Sequence, residues 1–142
     1  TIERQEINAA DGATGAPGDI TIYKDGAIFK AIEVTERPID GSRVDSTFST
    51  KITLNNAAEY LFVYTNDLPR ENALERAKAY FAQGYNINFV SITDLTIHIL
   101  LSGDEAFRTA YNERMFELFN AQDVQATIKV AWNDALTEAM QA

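Results

Sequence analysis

Two short alternating runs with a turn between them set the pattern of the first third of the chain. In Asp19-Ile20-Thr21-Ile22-Tyr23, polar and apolar positions alternate, and Ile28 to Thr35 alternates again. A period of two predicts strands at about 19–24 and 27–36, joined at Lys24-Asp25-Gly26. Val44, Phe48 and Ile52 then recur at four-residue spacing, predicting a helix over 41–54. The aromatic and β-branched run Glu59–Thr65 reads as a strand buried on both faces. Asp67-Leu68-Pro69 marks a helix start, with Asp67 at or near the cap and Pro69 in the first turn. Leu74, Ala77 and Phe81 form the expected buried face of that helix, and Gly84 ends it. Residues 87–92 read as another buried strand, and strand, helix, strand in that order implies a right-handed parallel crossover.

The ends of the chain are less regular. Ile2 to Ile7 reads as a short strand or loose arm, followed by a loop from Asn8 to Gly18. Leu95 to Ser102 fits either a strand or a helix and is taken as the loop and helix after the last strand. From Gly103 on, Phe107, Tyr111, Met115, Leu118 and Phe119 make one helical stripe. Val124, Ile128, Ala131, Trp132, Ala135 and Leu136 make another after Asp123, a cap residue. The fold class that follows is α/β, a mixed central sheet flanked by helices, in a single domain over 1–142.

Within this pattern Asp19 opens one strand and Glu33 sits near the end of the next. Glu33 shares a face with Ala31 and Thr35, and Ile32 and Val34 are expected to enter the core. The hairpin layout brings both carboxylates to one spot, a standard way to hold a divalent cation beside a phosphodiester. A carboxylate between large aliphatics also costs free energy unless something pairs with it. The plainer alternative makes Asp19 a turn residue after Pro17-Gly18 and pairs Glu33 with Lys30 or Arg37 on an exposed face.

The sequence Pro17-Gly18-Asp19, the hairpin, and then Ile32-Glu33-Val34-Thr35 resemble the PD-(D/E)XK nuclease motif, an Asp followed after a gap by Asp/Glu-x-Lys. The wider stretch from Thr14 to Ile52 is similar to the C-terminal catalytic part of SacI-type type II restriction endonucleases, and the resemblance is strongest over about 7–55. It implies a restriction-endonuclease-like core and a metal-dependent endodeoxyribonuclease acting on double-stranded DNA. It also implies Asp19 and Glu33 as ligands of Mg²⁺, with Mn²⁺ as a substitute. Thr35 stands where the motif has its Lys, and Thr carries no positive charge. Lys51, Arg43 and Arg37 are the candidate replacements, with Lys51 placed first. Glu6 is a candidate third acid if the N-terminal arm passes the site, and a solvated edge-strand acid otherwise.

Composition bounds these readings. The chain has 142 residues, 46% of them hydrophobic, and no cysteine. Disulfides and thiolate metal sites are therefore excluded, and a cytoplasmic setting is expected. No apolar run is long enough for a membrane span. The first residue is Thr1, which fits a processed chain or a fragment of a longer enzyme. The net charge of −9 argues against broad nucleic-acid binding. Residues 1–51 are the less acidic part, with six basic side chains against nine acidic ones, which leaves room for a DNA face there. A palindromic DNA site would favour a C₂ homodimer. His98, the only histidine, has no nucleophile pattern beside it and reads as packed or surface-facing. Gly12, Gly15 and Gly18 do not match a phosphate loop. The aromatics of 60–89 and Trp132 read as core. Against the nuclease stands a non-catalytic module of the same fold that binds DNA or a protein. The two readings part on whether Asp19 and Glu33 hold a metal.

Overall fold

The structure is a computed structural model that describes residues 1–4, 16–120 and 124–141. The chain divides into two compact units, Thr1–Thr96 and Ile97–Ala142. The first unit is built on the predicted hairpin. Strands β1 (Ile2–Arg4), β2 (Ile20–Lys24) and β3 (Ala27–Thr35) pair antiparallel in sequence. Asp25 and Gly26, at φ 53° and 81°, form the two-residue turn between β2 and β3. Left-handed conformation at both positions gives the turn a twist that matches its strands. The register runs Ile20↔Ile32, Thr21↔Ala31 and Ile22↔Lys30, then jumps to Tyr23↔Ile28. Phe29 is thus the extra residue of a bulge, which reverses the facing of what precedes it and turns Ile28 against the core. Strands β4 (Glu59–Tyr64) and β5 (Asn86–Ser91) add in parallel, so the sheet is mixed with order β1-β2-β3-β4-β5.

The predicted 41–54 helix has three parts: α1 (Gly41–Thr47), a π-helical turn (Phe48–Ile52) and α2 (Thr53–Asn55). Asp40 caps it, its Oδ1 accepting from the Arg43 backbone N–H at 3.0 Å. In an uninterrupted α-helix, each four-residue step drifts by about 40° around the axis. The wider π-turn takes up that drift. Val44, Phe48 and Ile52 therefore all stay on the core side, and Arg43, Thr47 and Lys51 form a second aligned row. Val44 and Ile52 are fully buried against Ala31, Tyr60, Phe62 and Ile87 of the sheet.

Helix α3 (Glu71–Phe81) begins later than Asp67 and Pro69 suggest. The Arg70 N–H donates to Ile39 O at 2.9 Å, tying the preceding segment down before the helix starts. Its buried residues are Ala73 and Ala77, whereas Leu74 and Phe81 are exposed, contrary to expectation. Small side chains on this face allow a close approach to α1, where the Gly41 N–H donates to Asn72 Oδ1 at 3.0 Å. Gly84 does end the helix, at φ 91°, with Tyr85 N donating to Tyr80 O and Gly84 N to Phe81 O.

Helix α4 (Ile92–Ser102) follows β5 directly, so the ambiguous 95–102 stretch is helical throughout. Ser91 Oγ accepts from Asp94 N at 2.9 Å and donates to Asp94 Oδ2, a reciprocal cap. His98 is on the surface of this helix. In the second unit, α5 (Glu105–Asn120) is capped by Asp104, and α6 (Ala126–Gln141) stacks Trp132 on Phe119 with ring centroids 4.6 Å apart. Asp123 lies outside the described residues. Among those described, no helix is long and apolar enough to cross a membrane.

Candidate functional site

The site begins with a close approach. Gly18 is buried, and a Cβ there would stand 2.6 Å from Ile32 O. Only glycine lets the chain run this near to β3 before β2 starts. The next residue is thereby seated at the strand end, and Asp19 Oδ2 accepts from the Val34 N–H at 2.7 Å.

On β3, Ala31, Glu33 and Thr35 face the helix-covered side, and Val34 on the other side is 44% exposed. This reverses the expectation that Ile32 and Val34 enter the core. The carboxylate can occupy the inner face because both of its oxygens accept hydrogen bonds. Glu33 Oε1 accepts from Arg43 Nη2 at 2.7 Å. Glu33 Oε2 accepts from Lys51 Nζ at 3.0 Å and from the Tyr60 hydroxyl at 2.7 Å. Lys30 pairs instead with Glu59, and Arg37 is not a partner of Glu33.

Burial pushes the Glu33 pKa up, but the hydrogen bonds from Arg43 and Tyr60 and the charge of Lys51 outweigh it and hold the carboxyl below its usual range. Burial and the adjacent Glu33 charge push the Tyr60 hydroxyl far up, so it stays a donor. Thr35 Oγ1 accepts from Arg43 Nη2 at 2.9 Å and from the Arg37 backbone N–H at 3.1 Å.

Asp19, Glu33, Thr35, Arg37 and Arg43 line one cavity of about 300 Å³. Lys51 is not in its wall and approaches Glu33 from the Tyr60 side. The structure thus brings together six of the residues singled out from sequence, Asp19, Glu33, Thr35, Arg37, Arg43 and Lys51, with Lys51 behind the acid. Glu6 lies outside the described residues. Two contributors were missed. The core reading of Tyr60 overlooks its hydroxyl, and the signal is a tyrosine beside the apolar run Leu61-Phe62-Val63 of a largely buried strand. Glu36, exposed, also lines the cavity.

Among the described residues there is no cluster of three or more His, Cys, Asp or Glu suited to a metal. Mg²⁺ does not need one, since it binds through one or two carboxylates and completes its shell with water and phosphate oxygens. Asp19 and Glu33 both line the cavity and would supply that hard oxygen set. Among the described residues Asp19 has one oxygen without a donor, and Glu33 Oε1 has a single one. The residues present therefore fit such an ion.

No curated protein matches the chain. The stretch that builds this cluster does match a nuclease family, with which the broader PD-(D/E)XK placement is consistent. Residues 1–66, from β1 through β4, match the family model described as the SacI restriction endonuclease C-terminal domain.

Proposed function

We propose that this chain is a metal-dependent endodeoxyribonuclease of restriction type, hydrolysing phosphodiester bonds in double-stranded DNA. The observation that carries the reading is the convergence of Asp19 and Glu33 on one cavity that also holds cationic side chains. When bound, Mg²⁺ (or Mn²⁺) supplies an acidified water and neutralises charge on the phosphate. Asp19 and Glu33 would hold it. Lys51 and Tyr60 fix the Glu33 carboxylate from behind, so that its cavity-side oxygen keeps one direction. The water oxygen forms a new bond to phosphorus, and the bond to one ester oxygen breaks with its electron pair. That oxygen takes a proton from solvent, and the proton lost by the water goes to solvent. A palindromic target would be met by a homodimer.

One observation favours a second reading, a nuclease-fold module that binds DNA or a protein without cutting. Glu33 already accepts from three donors, which is how a structural acid is satisfied. Plasmid cleavage with Mg²⁺ and with Mn²⁺ separates the two. Discrete fragments from the parent chain that vanish in Asp19→Ala and Glu33→Ala support the nuclease. No cutting with either ion supports the binding module.

A further inference from the structure

Of the cations near the acids, two are held by Glu33 and one stands at the rim. Lys51 meets Oε2, the oxygen shared with the buried Tyr60 hydroxyl, and is absent from the cavity wall. Arg43 meets Oε1, is in the cavity wall, and bridges to Thr35. Both of those contacts use a single nitrogen, Nη2. A guanidinium carries five N–H donors. Those on Nη1 and Nε have no acceptor among the described residues. Arg37 also lines the cavity, but it lies past the end of β3, is exposed, and among the described residues is tied to the site only through its backbone.

We infer that Arg43 is the residue that contacts a non-bridging oxygen of the DNA phosphate, and that Lys51 is a positioning residue acting through Glu33. The inference rests on the nuclease reading above. A guanidinium matches phosphate geometry with two parallel donors, which a point-like ammonium cannot do. Its contacts to Glu33 and Thr35 fix it in place before substrate arrives, so little reorganisation is needed as charge grows on the phosphate. Thr35 is within 2.9 Å of the same nitrogen, so a cation grafted at position 35 would reach the same place.

The test compares Arg43→Gln, Lys51→Gln and the double variant Arg43→Gln/Thr35→Lys in the full chain, by plasmid cleavage and by calorimetric titration with Mn²⁺. Thermal melts confirm that each variant is folded. Removing one transition-state donor is expected to lower cleavage by roughly 10²–10³-fold. Arg43→Gln should show that loss while binding Mn²⁺ no more weakly than the parent, because it frees an oxygen of Glu33. Lys51→Gln should lose less than about tenfold, and Thr35→Lys should restore a large part of what Arg43→Gln loses. The inference is overturned if Arg43→Gln cuts as well as the parent, if Lys51→Gln loses as much, or if Arg43→Gln loses Mn²⁺ binding. A parent chain that never cuts removes the nuclease reading itself, and this assignment with it. A parent that cuts beside an equally active Arg43→Gln removes the assignment alone.

Discussion

Glu33 is 7% exposed and holds three donors on two oxygens. A buried charge of this kind is tolerated only because its partners are all present, and removing any one is costly. Tyr60→Phe deletes the hydroxyl that meets Oε2 and leaves the ring in the core. Hydrogen bonds to charged groups are worth about 1.5–3 kcal/mol, so the variant should lose about that much stability in urea unfolding. The same cluster sets an acid limit. The folded-state pKa of Glu33 lies below its ordinary value of 4.5. Its contribution is therefore complete above about pH 4.5 and is lost as pH falls through the lower folded-state value. Unfolding midpoints measured between pH 3 and 7 should be flat at the upper end and drop at the acid end. A midpoint that rises on acidification would contradict the pairing described.

At the level of elements, two glycines of the hairpin act for different reasons. Gly26 needs its positive φ of 81°, and nothing lies within 4 Å of where its Cβ would be. Gly26→Ala should cost roughly 1–2 kcal/mol of backbone strain and leave the site intact. Gly18 has no room, with Ile32 O at 2.6 Å. Gly18→Ala should cost about 1–3 kcal/mol and displace Asp19 as well. Measuring stability and Mn²⁺ affinity on both variants checks this, since only Gly18→Ala is expected to weaken the metal. Strand positions, the turn and the helix over 41–54 were legible because alternation and four-residue spacing are local signals. The facing of β3 was not. Ile32 and Val34 look like core beside a lone carboxylate, and only the partners contributed by α1, the π-turn and β4 make the opposite facing the stable one. The π-turn was equally silent, since four-residue spacing fits an α-helix nearly as well. Leu74 and Phe81 misled because hydrophobicity suggests burial, whereas the close contact of α3 with α1 selects alanines.

For the whole molecule, charge decides how the proposed DNA substrate would be met. At a net charge of −9 the chain repels DNA at long range, and the local cations around the cavity must work against that field. On the nuclease proposal, a bound divalent ion would serve affinity as well as chemistry. DNA binding should weaken on the order of tenfold or more on chelation and fall further with salt. Tight binding unaffected by a chelator would favour the non-catalytic module. The convergence of Asp19 and Glu33 on one cavity was legible in the sequence, because the two flank a recognisable hairpin. The order of the cations around it was not. Arg43 and Lys51 are eight positions apart, and which one fronts the cavity depends on three-dimensional packing.

Whether Asp19 and Glu33 together take a divalent cation decides between the nuclease and the binding module. Calorimetric titration of Mn²⁺ into the parent chain and into Asp19→Ala tests that most directly. A single site per chain is expected in the parent and is lost in the variant. No binding heat from the parent, or the same binding from both, would contradict it.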